Sequence, residues 1–459
     1  MLKNTSRVFC CMLVLLMLFT MISCQSGGKS PTEDRKTAEA VKSASTDTEA
    51  AKQSDSGSKE VTLSMYSFWT GEGGFVLGEA VDTIINNFRQ KYPNIKIESS
   101  YDIWDTMIAK LMTYSASGDM PDIFSSGGYT VLDPWIEAGT ITDVTDIIEN
   151  NKELKDAFLP GALESVTKNG KIWGMPVDGD AIGFFWNRTM FAQAGINEFP
   201  KTYEEFINAC EALKSKGIVP VNLAGKFALN PTHYVEYFVY RIAGPDVVQA
   251  IVKGEKKFDC PEMVEAYAKA REFAEMGFFN KNAASLDEVQ GKQNFMDGKS
   301  AMYCIGLWET GTFAGLPNAD ELSYANFPAF SGYNVDQGIM LKDFQDPFVL
   351  GNKITPEKKK AVEEFYKFFY SPEQQQIMRD MKGITVTKGD YNKDKVGDFF
   401  IRVLNEYNAA KSSTCELVYN FPGALSASIY EASQNILIGK ADPQTELQKL
   451  DKAFTELKE

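Results

Sequence analysis

The chain has 459 residues, 44% hydrophobic and 12% aromatic, with 62 acidic against 47 basic side chains, one histidine and a net charge of −15. That composition holds enough apolar material for a core of two ordinary domains. It excludes a nucleic-acid binder, whose phosphate partner demands a basic surface, and one histidine leaves neither an H-E-x-x-H motif nor a multi-histidine metal cluster.

The chain opens with Lys3 and Arg7, an almost unbroken apolar run from Val8 to Ile22, and small Ser23 before Cys24. The run is short for a membrane-spanning helix, which needs about 20 residues. This segment resembles a bacterial lipoprotein signal. The resemblance implies that residues 1–23 are removed and that Cys24 is lipidated (palmitate among its chains), anchoring the protein at the extracytoplasmic face of the cell membrane. A plain cleaved signal or a short membrane anchor is the alternative. Residues 24–60 are polar and small, with Val41 the only large aliphatic residue. Such a stretch cannot bury enough surface to offset its ordering entropy, so a flexible tether is expected, with a root-mean-square span of roughly 30–35 Å.

From Val61 the pattern alternates strand and helix. Val61–Tyr66 reads as a strand, and Leu77, Val81, Ile84, Ile85 and Phe88 recur at helical spacing. After the Tyr92-Pro93-Asn94 break, Ile95–Glu98 alternates like a second strand, Ile103–Tyr114 is helical, and Asp122–Ser125 is a third strand. The βαβαβ order predicts a parallel sheet with a ligand crevice at the carboxyl ends of its strands. Thr202 and Glu205 stand in capping-box relation at the start of a helix through Lys216. Further helices are predicted from Pro261 and over residues 357–370, 374–381, 425–437 and 444–457. The fold class is α/β throughout, with no second run long enough to cross a membrane.

Several motifs then line up in order. Phe88–Ile97 is followed by Gly118-Asp119-Met120-Pro121-Asp122-Ile123, Trp135–Asp143, Gly170–Pro176 and Phe184–Phe191. Ala194-Gly195-Ile196, Pro200–Phe206, Phe295–Met302 and Gly306-Leu307-Trp308 complete the set. Taken together they resemble the bacterial extracellular solute-binding proteins of family 1, the maltose-binding-protein-like sugar-binding lipoproteins of ABC importers. The resemblance covers nearly the whole mature chain. It implies a two-lobed, periplasmic-binding-protein-like fold of type II, with lobes joined by a hinge of crossing segments. By order of motifs, one lobe takes 61–176 plus 345–383 and the other 177–344 plus 384–459, with crossings near 176–183, 338–347 and 383–389. It further implies a monomer that captures a carbohydrate by closure and without chemistry, and that delivers it to the permease subunits of an ABC transporter, without cofactor, metal or catalytic residue.

Sugar recognition needs aromatic faces for C–H stacking and carboxylates or amides for paired hydroxyls. Loops at strand ends supply Trp69 and Glu72, Asp102, and Ser126 and Tyr129. Asp178 and Asp180 lie at the first crossing, where closure would bury them. His233 falls in a polar-aromatic loop, Asn230–Tyr234, as a hydrogen-bonding candidate or a structural imidazole. Trp308 and Glu309 follow an apolar strand, and the resemblance implies that Trp308 stacks on sugar. Trp135, Trp173 and Trp186 read as packing residues.

Competing motifs are incomplete. Gly71-Glu72-Gly73-Gly74 resembles a dinucleotide turn, but Val76 takes the place of the third glycine. Gly298-Lys299-Ser300 resembles the end of a phosphate loop, but position 293 is Gln. Cys210, Cys260, Cys304 and Cys415 are widely spaced; three disulfide connectivities are open, and buried free thiols are the simpler reading. A non-sugar solute (peptide, polyamine or phosphodiester) and a lipid-anchored glycan hydrolase built on a carboxylate pair stay open as alternatives.

Overall fold

The computed structural model describes residues 60–71, 76–439 and 441–458. The expected signal peptide, Cys24, the tether up to residue 59, and Glu72 lie outside the described residues.

Following the chain, β1 (Val61–Ser67), β2 (Ile95–Tyr101) and β3 (Ile123–Ser125) form the parallel part of a five-stranded sheet, with β2 at one edge and β4 (Ile141–Thr142) at the other. The helix Val76–Lys91 joins β1 to β2 and turns Ala80, Val81, Ile84, Ile85 and Phe88 onto the sheet, the stripe expected from 3.6-residue spacing. A hairpin of β5 (Thr167–Lys168) and β6 (Lys171–Ile172) precedes the first crossing. The long strand β7 (Asp178–Asn187) then becomes the spine of a second sheet. Beside it lie β9 (Met302–Gly306) and, parallel to that strand, β8 (Val221–Asn222). On its other side β10 (Leu322–Ala325) covers the far half and β11 (Met340–Gln345) the near half, both antiparallel. The chain returns through Asp346-Pro347 to β12 (Phe348–Gly351), which inserts antiparallel between β3 and β4. After Ile384–Thr387, which bridges Asp178 and Phe158, it passes back to the second sheet as the helix Lys393–Ala409 and β13 (Ser413–Thr414).

Two separate cores result. One draws on Leu63–Val177 and Phe348–Val386; the other, in two packed clusters, draws on Ala181–Leu341 and Ile384–Phe454. Trp135 and Trp186 are buried within them. Among the described residues, all four cysteines are free thiols, with Cys210 and Cys304 buried, and no helix is long and apolar enough to cross a membrane.

One local expectation is corrected. Asn230–Tyr234 is no loop but the first turns of the helix Leu229–Ile242, whose residues from Asn230 onward are all buried. Pro231 is tolerated there because the first-turn amides have no intrahelical acceptor anyway. Asn230 turns its side chain outward from the helix, accepting from the Ala224 amide and donating to the Cys304 carbonyl, both within the second core.

Candidate ligand site between the lobes

The start of β7, the middle and end of β11, the helix Leu229–Ile242 and the segment after β13 bring six carboxylates into mutual electrostatic range: Asp178, Asp180, Asp343, Asp346, Glu236 and Glu416. Burial is the first cause of every shift in this group, and the neighbouring carboxylates add to it for all but Asp180. Asp180 is pushed up to about 7, Glu236 and Asp346 to about 8, and Asp178, Asp343 and Glu416 well above the usual carboxylate range. Asp180, Asp343 and Asp346 keep some accessible surface despite that burial.

The hydrogen-bonding support of these groups is uneven. Asp180 Oδ1 accepts from the Leu307 amide at 2.8 Å, and the Trp308 and Ala181 amides also favour its ionised form. It thereby anchors the short turn Leu307–Glu309 that carries Trp308. The Trp308 indole folds back over Gly306, where a Cβ would collide with its six-membered ring. The same ring faces His233, with centroids 5.8 Å apart. His233 and Glu236, three residues apart, share one face of their helix. Burial lowers the His233 imidazole to about 3, so it is neutral, and neither ring nitrogen has a hydrogen bond among the described residues; Nε2 lies 3.5 Å from Glu416 Oε2. Glu236 sits beside the Leu417 and Val418 amides. Asp343 accepts from Gln345 Nε2 at 2.8 Å, and Gln345 Oε1 accepts from the Gly128 amide, tying this strand to the first lobe. Asp178 Oδ1 is buried without a hydrogen-bond partner among the described residues.

The first lobe contributes Tyr129, whose ring lies parallel to Tyr419 of the second lobe at 6.3 Å. Thr130 Oγ1 is within hydrogen-bonding distance of the Tyr419 and Phe421 carbonyls, at 3.0 and 2.7 Å. Tyr129 and Asp346 are two of the four described non-glycine residues with positive φ (53° and 57°). A left-handed tyrosine costs on the order of 1–2 kcal/mol, so its surroundings hold it there against preference.

Asp178, Asp180, His233 and Trp308 are thus brought together, with Tyr129 across the lobe boundary. Glu309 is buried and pairs with Lys292 at 2.9 Å. Ser126 is buried; its hydroxyl donates to the Gly127 carbonyl and its amide to Pro347 at the second crossing. Trp69 packs in the first core against Phe68, 4.7 Å between centroids, its indole N–H without a partner. Asp102 accepts from the Tyr66 hydroxyl at 2.7 Å and pairs with Lys110. Sequence reasoning passed over Glu236, Asp343, Asp346, Glu416 and Tyr419. Glu236 carried a signal, an acid inside the aromatic run Tyr234–Tyr240, and Asp343 and Asp346 lay within an expected crossing. Among the described residues no group of three or more His, Cys, Asp or Glu is spaced to hold a metal ion.

Two α/β lobes joined by three crossings, with carboxylates and rings gathered where they meet, define a solute-binding protein of the two-lobed type II fold. A sequence profile of the bacterial extracellular solute-binding proteins matches residues 75–376, and the chain belongs to that family. It is similar to two uncharacterized ABC transporter extracellular-binding proteins of Pyrococcus horikoshii. One is 26% identical over 55% of this chain and 58% of its own length; the other is 24% identical over 86% and 83%. Among solved structures, a chitin oligosaccharide binding protein superposes with a TM-score of 0.78 at 24% identity, over 86% of this chain and 98% of that one. That likeness is one of fold.

Proposed function

We propose that the chain captures a carbohydrate between its lobes, closes on it, and delivers it to the permease subunits of an ABC importer from the outer face of the cell membrane. The observation that carries this reading is the gathering of Trp308, Tyr129 and Tyr419 with buried carboxylates at the lobe junction. Rings offer apolar faces to a pyranose, and carboxyl groups satisfy its hydroxyls. The similar chitin oligosaccharide binding protein supports the same ligand class. The lobes, 61–176 plus 345–383 and 177–344 plus 384–459, move as bodies about the three crossings. The protein works as a monomer, tethered through residues 24–60 to a lipid on Cys24, and performs no chemistry on its ligand.

Calorimetry against a panel of oligosaccharides, with chromatography of the recovered sugar, tests this. Saturable binding of an unaltered saccharide is expected, and Trp308→Ala should weaken it about tenfold, the order of a lost ring contact, with the melting temperature nearly unchanged. Release of shortened products, or binding of no saccharide at all, sinks the reading.

A further inference from the structure

Resting on the carbohydrate reading, we propose that the ligand carries a protonated amine, as an amino sugar with its nitrogen unacetylated does, and that Asp178, Asp343 and Glu416 receive it. Isolated buried carboxylates are costly, and proteins offset them with a cation or by protonation. Among the described residues, no lysine or arginine pairs with any of the six clustered acids, and the 3.5 Å approach of Glu416 to His233 is to a neutral imidazole with no hydrogen bond to either nitrogen. Lys342 is the adjacent lysine in sequence, but strand alternation turns it to the opposite face from Asp343. Its ammonium is committed to Tyr407, donating to the carbonyl at 2.7 Å and lying 3.7 Å from the ring centroid. Lys292 is committed to Glu309.

The cluster has a second mark of a site besides its charge. Asp178 is 6% exposed with Oδ1 unpartnered, and His233 is fully buried with both nitrogens unpartnered. These are polar atoms desolvated on folding with nothing among the described residues to replace water. An ammonium supplies a full positive charge and three N–H donors to such acceptors. Hydrogen bonds between charged partners are roughly twice as strong as neutral ones, so the amine outcompetes a hydroxyl at the same position. Trp308, Tyr129 and Tyr419 serve such a ligand twice, through C–H stacking and through attraction of their faces for a cation. All six carboxyls of the cluster are held above their usual range, by burial first and, for all but Asp180, by the neighbouring acids as well.

Titration calorimetry of the full chain with the β-1,4-linked glucosamine trimer, its fully N-acetylated form, cellotriose and spermidine separates the possibilities. The free-amine trimer should bind at least about tenfold tighter than the acetylated one, or about 1.4 kcal/mol. Asp178→Asn should narrow that gap, and Glu416→Gln serves as the second variant should the first fail to fold. Equal or tighter binding of the acetylated trimer or cellotriose overturns the amine and leaves the carbohydrate reading standing. Binding of spermidine alone keeps the amine and removes the carbohydrate. A preference untouched by either folded variant, or no binding by the glucosamine trimer or spermidine, overturns the proposal.

Discussion

At the scale of single residues, the position of Trp308 is set by two neighbours, Asp180 and Gly306. Asp180 fixes the backbone of its turn, and Gly306 leaves the space its ring occupies. A methyl at position 306 has to displace the ring, which can swing toward solvent because Trp308 is only half-buried. Gly306→Ala should therefore weaken ligand binding roughly threefold to tenfold, the range of a lost ring contact, while unfolding cooperatively near the parent temperature. Calorimetry beside a thermal melt checks this, and unchanged affinity in a folded variant would show that the indole position is immaterial. Trp308 could be singled out in the sequence through the family resemblance, Asp178 and Asp180 through their place at the expected first crossing, and His233 as the only histidine. Asp343 and Asp346 lay within another expected crossing, but their nearness to Asp180, and that of Glu416, exists only after β7 and β11 pair and the segment after β13 folds against them.

Among the elements, the helix Leu229–Ile242 matters most, because it carries His233 and Glu236 on one end and a buried arginine on the other. Arg241 donates to the Pro328, Ile339 and Phe327 carbonyls at 3.2, 2.8 and 2.8 Å, and its ring-facing side lies 5.4 Å from the Tyr237 centroid. Burial lowers its guanidinium to about 10, so it remains charged at neutral pH. Lysine offers no planar fork to reach three carbonyls at once. Each orphaned buried acceptor costs about 1–3 kcal/mol, so Arg241→Lys should lose on the order of 3 kcal/mol in a urea melt. An effect under about 0.5 kcal/mol, the level of an ordinary surface change, would mean these bonds do not hold the helix. The βαβαβ half of the first sheet was legible because strand and helix periods alternate cleanly there. The start of this helix was not: Asn-Pro-Thr-His carries turn residues, and only burial on every side makes it helical.

For the whole molecule, the carboxylate cluster couples closure to pH, with a sign set by which state holds the protons. Burial pushes Asp180 up to about 7 and Glu236 and Asp346 to about 8, and Asp178, Asp343 and Glu416 are raised as well. Opened to water, these carboxyls return toward their ordinary values near 4. Between about 4 and 8 the closed form therefore holds more protons than the open one, and its stability falls as pH rises through that window. His233 acts in the reverse sense: burial lowers it from 6.5 to about 3, so its contribution is lost on acidification between those values and is constant above them. Above pH 6.5 only the carboxyls change. Without ligand, the radius of gyration from X-ray scattering should accordingly grow between about pH 6.5 and 8.5, the span over which the raised carboxyls ionise. Asp346→Asn should flatten that growth, since asparagine tolerates the left-handed backbone at this position and carries no charge. A bound ligand that satisfies the cluster should hold the molecule compact across the whole range. A ligand-free radius independent of pH would mean that the lobes stay shut against the repulsion, and that the crossings at Asp346-Pro347 and Ile384–Thr387 are stiffer than a hinge requires.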